Sequence, residues 1–471
     1  MRLLSLELEN FRGFQQLKLD FAPPQNDVGG KGGLTAFIAE NGQGKTAILE
    51  AVRYLLGTFI ARFPKTSVPR LKDSDYRDEW CIQDTGRNAL RKKIRKPFMR
   101  LKAEAEFETA RTAAWDIVVR RDKSAKTAEA LKGRVFLGSA ALNAEADRFI
   151  DRDNEEHPIP YPIFAYYNTE RAVIRNKPER RRGFQREFHR TDAYVGALDS
   201  GLNYKKIIEW FCCIEHIQDQ EMKAQRNWDY QSLETRTIQL AVEKMLPGFR
   251  NIRTVSNPLD LVIDVEDEDG TVKVCRIDSQ LSDGYKCVLV LVLDLVSRII
   301  EANGMLPDMT PDKLLDAEGV VLIDEVDLHL HPSWQQRILP DLCRTFPNIQ
   351  FIVTTHSPQV LSSIPKECVR VLCQGEILPA SMQTHGVASN EILAQVFGTH
   401  PSPRTTPFSR MLEEYAQLSL RGDAETEEGT ALYQKLAKHF GPDYLPLMHI
   451  ENHRKFLANR REDGDAQVHT R

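Results

Sequence analysis

The stretch that most constrains this chain is "TAFIAENGQGKTAILEA", residues 35–51. An apolar run leads through a turn holding Gly42 and Gly44 into a helical pattern that opens with Lys45 and Thr46. Such a turn aims successive backbone N–H groups at phosphate and backs them with the positive end of a helix. The expected cradle is Asn41, Gly42, Gln43, Gly44, Lys45, Thr46 and Ala47. In it Lys45 bridges the β- and γ-phosphates and the Thr46 hydroxyl ligates Mg2+. One position departs from the usual pattern, because Ala39 stands where a first glycine is common. That glycine serves the backbone of the turn, so a small alanine with negative φ is expected to be tolerated.

A second motif supplies acid. "VVLIDEVD", residues 320–327, is four apolar residues followed by Asp324 and Glu325. Buried as a parallel strand, it puts Asp324 at the carboxyl end, where such sheets bind ligands, to hold Mg2+ through water. Glu325, one residue on, is the expected general base that polarises the attacking water. With the phosphate cradle, this pair points to hydrolysis of a nucleoside triphosphate, with ATP and Mg2+ as the expected substrate and metal. "TTHSP" sets His356 just after an apolar strand, within reach of a γ-phosphate. "QLSDGYK" opens an apolar helix, and its Ser282, Asp283 and Gly284 offer a second phosphate cradle. The helix of Lys45 already serves this chain's nucleotide. The second cradle is therefore expected to serve the nucleotide of another subunit.

At 471 residues the chain has room for about three domains. Its 41% hydrophobic and 28% charged residues and net charge of −4 are those of an ordinary globular protein, so global charge does not bear on nucleic-acid binding. Glu7 and Glu9 interrupt what would have to be the apolar core of a signal peptide. The most apolar run, Cys287 to Val296, is about ten residues long and contains Asp294, so it reads as a buried helix and not a membrane span. A cytoplasmic protein with no membrane association is expected. The eight cysteines form no CxxC pair, and the adjacent Cys212 and Cys213 are unsuited to one zinc, so reduced thiols are expected. His329 and His331 in "DLHLHP" read as part of a loop after the acidic pair, not as a zinc site with His356.

Strand and helix alternate as an α/β fold with a mixed central sheet requires. An opening hairpin turns at Arg12-Gly13-Phe14, and "FMRLKAEAEF", "AWDIVVRRD" and "RVFLG" read as further antiparallel strands forming a β subdomain. "YPIFAYYN" has the unbroken apolar character of a buried parallel strand. Residues from about Asn203 to Leu246 space apolar positions by three and four, as in a helical insertion too short for a long coiled-coil arm. Four regions are expected: an N-lobe over 1–195, a helical insertion over 196–255, a C-lobe over 256–372 and a helical appendix over 373–471.

The cradle, "LSDG", "VVLIDEVD" and "TTHS", in that order and with helices inserted between the first two, resemble the P-loop ABC-type ATPase heads of structural-maintenance and recombination-repair proteins. That resemblance implies heads that dimerise head to tail around two ATP molecules. It also implies that Ser282 and Gly284 contact the partner's γ-phosphate, and that Asp327 lies in the loop signalling across the interface. "IFAYYNTERAV", "LSDGYKCVLVLVLDL", "IDEVDLHLHPSWQQRILPDLCRTFPNIQFIVTTHSPQVL" and "GVASNEILAQVFGT" narrow the likeness to the ATPase subunits of bacterial anti-phage systems, the Septu PtuA type and retron-associated relatives. Such a subunit acts with a separately encoded HNH nuclease, PtuB-like in Septu, often as a higher homo-oligomer. By the same likeness Arg12 in the hairpin and Arg171 in "YYNTERA" are candidate nucleotide contacts.

Alternatives stay open at this point. "RNALRKKIRKPFMRLK" and "RAVIRNKPERRRGFQREFHR", the latter with Phe184 and Phe188, could track DNA or RNA or could be solvated faces. The helical tail could cap the sheet or dock a partner. A DNA repair or recombination ATPase, and a self-contained nuclease of the overcoming-lysogenization-defect type, remain alternative functions.

Overall fold

The structure is a computed structural model and describes residues 1–24, 31–84, 89–107, 111–172, 189–202, 204–256, 259–267, 269–398, 406–441 and 444–454. The chain divides into two compact units, Met1–Ile392 and Leu393–Arg471.

The first unit is built on a six-stranded sheet. Its order is Glu376–Pro379, Val369–Cys373, Leu34–Ile38, Ile349–Thr354, Gly319–Ile323, Ile163–Tyr167. Five of these strands run parallel, and Glu376–Pro379 pairs antiparallel at one edge. The four strands from Leu34–Ile38 to Ile163–Tyr167 are buried along their whole length, which is why their sequences run apolar without alternation. The cradle strand Leu34–Ile38 and the acidic strand Gly319–Ile323 flank the same neighbour, Ile349–Thr354. Because all three are parallel, their carboxyl ends release the cradle, the acidic pair and "THSP" along one edge of the sheet.

A mixed central sheet beside an antiparallel one agrees with the expected fold class. The antiparallel sheet has the order Phe14–Asp20, Arg2–Phe11, Phe98–Phe107, Arg111–Arg120. "RVFLG" does not join it. Gly133 and Gly138, at φ 75° and 64°, bracket that run, and the Gly138 N–H is tethered to Asp116 Oδ1 at 2.7 Å, so the segment leaves the ladder. A helix at Ala125–Leu131, with Ser124 accepting from the Thr127 N–H, precedes it and was not expected from the sequence.

The helical insertion is two helices, Tyr204–Gln225 and Leu233–Met245. Its chain then continues into a strand, Phe249–Ser256, of a three-stranded antiparallel sheet with Leu259–Glu266 and Val272–Arg276. At the other end of the sheet core, Gln374 and Gly375, at φ 51° and 85°, form a two-residue turn that adds Glu376–Pro379 to the sheet. Residues 373–392, grouped by the sequence with the tail, thus belong by contacts to the first unit.

The apolar helix opened by "LSDG" runs from Asp283 to Asn303. Its Asp294 is buried, paired with Arg298 at 2.8 Å and receiving the Tyr167 hydroxyl at 2.9 Å. Tyr167 ends the edge strand, so the helix is pinned to the sheet by a buried ion pair with a third partner. The second unit packs Pro407–Arg421 against Glu427–Phe440 around Tyr415, Ala424, Leu436 and Leu447. Among the described residues no helix is long and apolar enough to cross a membrane.

Candidate nucleotide site

The cradle forms where the strand Leu34–Ile38 meets the helix Lys45–Ile60. Gly42 and Gly44 adopt φ 81° and 106°, a left-handed backbone that glycine takes without strain. Ala39 is absent from the described residues with positive φ, so the substitution of the first glycine is accommodated as expected. At Gly44 a side chain is excluded twice over. Its backbone is left-handed, and a Cβ there would meet the Phe14 ring at 2.8 Å. No side chain caps the helix and none in its first turn is acidic, leaving the leading N–H groups directed at the turn. Asn41, Gly42 and Thr46 are exposed.

Lys45 is buried, and its Nζ donates to the carbonyls of Ala39 at 2.9 Å and Glu40 at 3.4 Å. Burial pushes its pKa below the ordinary lysine value, and the carboxylates of Asp324, Glu325 and Asp327 oppose that shift. The Thr46 hydroxyl donates to Asp324 Oδ2 at 2.9 Å. Asp324 is buried, with its N–H on the Tyr167 carbonyl at 2.8 Å. Glu325 takes φ 47°, an uncommon conformation outside glycine, with its N–H on the Thr354 hydroxyl at 2.7 Å.

Beyond the acidic pair the chain folds back on "THSP". Asp327 Oδ1 accepts the Thr355 hydroxyl at 2.6 Å and the His356 N–H at 3.4 Å. This joins the loop after the acidic strand to the loop bearing His356. His331 caps a short helix at Pro332–Gln335 and bonds Ser333 Oγ at 2.9 Å, while His329 is exposed at φ 62°. Among the described residues no group of three or more His, Cys, Asp or Glu is placed to hold a metal ion.

The structure does not bring every candidate together. Lys45, Thr46, Asp324, Glu325, Asp327 and His356 converge. Ser282 and Asp283, by contrast, are exposed at the start of their helix, and the Ser282 side chain does not cap it. Gly284 lies against the loop after the acidic strand, and a Cβ there would sit 2.9 Å from the His329 carbonyl oxygen. Arg12 is held by Asp75 at 2.8 Å in the hairpin tip whose Phe14 covers Gly44. Arg171 falls in a short 3-10 turn, Thr169–Ala172. Of the basic clusters, residues 173–188, including Phe184 and Phe188, lie outside the described residues. In the first cluster Lys96, Arg100 and Lys102 are engaged with Glu79, Asp116 and Glu7 at 2.8, 2.7 and 3.0 Å. Sequence reading missed Thr354, although a threonine ending a buried, mostly apolar strand was a signal.

Residues 5–245 match a protein family described as an AAA domain. The chain belongs to the AAA domain family. Residues 226–362 match a second description, AAA domain, putative AbiEii toxin, Type IV TA system. The chain is 27% identical to the Retron Ec83 probable ATPase of Escherichia coli, over 96% of this chain and 86% of that one. It is 24% identical to the Retron Vc95 probable ATPase of Vibrio cholerae, over 93% and 88%. A shorter segment, 20% of this chain and 12% of the relative, is 42% identical to Septu protein PtuA of Bacillus mycoides. This AAA protein is an ATPase; the likeness to retron ATPases read from its motifs is borne out along nearly its whole length, and that to Septu PtuA over a segment of 20% of the chain.

Proposed function

We propose that this ATPase is the nucleotide-driven subunit of an anti-phage defence complex, dimerising through composite ATP sites and controlling a separate HNH-type nuclease. The observation that carries the proposal is the split between the converged half-site, Lys45 with Thr46 on Asp324, and the exposed, uncapped helix start at Ser282. A phosphate-binding helix start facing solvent is useful when another subunit brings the phosphate. Retron and Septu ATPases as relatives support the defence role.

Thr46 Oγ1 and Asp324 Oδ2 are the oxygens that would hold Mg2+, and a hydroxyl meeting a carboxylate is the hard donor set that ion takes. When bound, the metal neutralises charge on the β- and γ-phosphate oxygens. The chain's own groups do the rest. Lys45 pairs with the phosphate charge, Glu325 orients and deprotonates the water, and His356 contacts the γ-phosphate. ATP binding then joins two heads, and its loss releases them.

Co-expression with an HNH nuclease, if the adjacent open reading frame encodes one, tests the reading. The two should purify together, and ATP should change the assembly or the nuclease activity in the wild type but not in Lys45→Ala. An identical response from Lys45→Ala would sink the proposal.

A further inference from the structure

A single buried hydroxyl touches both members of the acidic pair. Thr354 ends the strand between the cradle strand and the acidic strand and is fully buried. A threonine hydroxyl has one proton to give and two lone pairs. The proton goes to Asp324 Oδ1 at 2.5 Å, and a lone pair receives the Glu325 N–H at 2.7 Å. The Thr354 carbonyl accepts the Val326 N–H at 2.9 Å, so one residue fixes three in succession.

We propose that Thr354 is the positioning residue of this ATPase, setting the Asp324 carboxylate for the metal and the Glu325 backbone for its work on water. Holding Oδ1 turns Oδ2 to the Thr46 hydroxyl, which completes the metal-binding pair. Binding the Glu325 N–H holds that residue at φ 47°, a conformation that persists only when its surroundings determine it. Hydroxyls that orient metal-site carboxylates act through geometry, and their loss affects metal affinity and turnover more than binding of the metal-free nucleotide. The inference rests on the roles proposed above for Asp324 and Glu325.

The test compares full-length wild type, Thr354→Val, Thr354→Ser and Lys45→Ala. Valine keeps the shape and removes the hydroxyl, whereas serine keeps the hydroxyl. Three readouts are taken: steady-state ATP turnover, the affinity for Mn2+ in the presence of ADP by electron paramagnetic resonance, and ADP affinity in EDTA. Thr354→Val should lower kcat and weaken Mn2+ binding, each by about 10–100-fold, with ADP affinity measured in EDTA changed by less than about threefold. Thr354→Ser should restore both. If the valine protein does not melt cooperatively, Thr354→Ala is measured in its place. Wild-type kcat and Mn2+ affinity without the hydroxyl, or a serine variant as impaired as valine, would overturn the proposal. Lys45→Ala separates the two ideas. If it retains full turnover, the site reading itself fails; if it loses turnover while Thr354→Val does not, only the role of Thr354 fails.

Discussion

The Thr46 hydroxyl donates to Asp324 Oδ2 across 2.9 Å, although 278 residues separate the two in the chain. That contact joins the phosphate cradle to the acidic strand through a pair of oxygens suited to Mg2+. Asp324→Asn keeps the shape and removes the charge. Nucleotide affinity in Mg2+ should fall by about 10–100-fold, while affinity measured in EDTA stays near the wild-type value. Calorimetric titration with ADP under the two conditions reads both, and an Asn variant that still gains affinity from Mg2+ would contradict the metal assignment.

Glu325 follows on the same strand end, and its role is separable from binding. Replacing it by Gln removes the proposed base and leaves the backbone bond to Thr354 in place. Hydrolysis should drop by about 10²–10⁴-fold, the contribution of a positioned general base, with ATP binding retained. Single-turnover hydrolysis beside equilibrium binding of a fluorescent ATP analogue distinguishes this from a loss of folding or affinity.

The candidate nucleotide site was legible because phosphate chemistry needs particular residue types at fixed spacing. Gly42, Gly44, Lys45 and Thr46 lie within five residues, and Asp324 with Glu325 follow an unmistakable apolar strand. The relation of Thr354 to Asp324 was not legible, because it arises only when two strands pair in parallel register. The same holds for Phe14 on Gly44, which depends on how two sheets meet. "RVFLG" misled for another reason: alternation and apolar content suggest a strand, but the left-handed Gly133 before it and Gly138 at its end remove it from the ladder. Asp294 was noticed as an anomaly in an apolar run, and only the fold supplied its partners.

Those partners predict a stability effect. Asp294, Arg298 and Tyr167 are buried together, so Asp294→Ala leaves the Arg298 guanidinium without its carboxylate. Breaking a buried pair from one side costs about 3–5 kcal/mol. Urea unfolding should show that loss, and a change below about 1 kcal/mol, the range of surface pairs, would mean the pair is dispensable.

Lys45 predicts a pH dependence. Burial lowers its pKa, so in the free protein it releases its proton at a lower pH than an ordinary lysine. Bound phosphates favour the charged form and raise that pKa again. Between the two values, nucleotide binding takes up a proton, and affinity falls as pH rises through the free-protein value. The sign for stability follows likewise: the unfolded chain binds more protons in this alkaline window, so this lysine's contribution to stability rises with pH there. Titrations at alkaline pH in buffers of different ionisation enthalpy should reveal proton uptake on binding ADP, absent in Lys45→Met.

The central claim is that each ATP site is completed by the Ser282 end of a second chain. Lys45→Ala and Ser282→Arg, each expressed alone, should hydrolyse almost no ATP. Co-expressed with separable tags, they form heterodimers in which the intact cradle of one chain faces the intact Ser282 of the other. With random pairing in a symmetric dimer, such a mixture should regain roughly a quarter of wild-type turnover. A mixture no more active than the two variants measured apart would contradict the composite site.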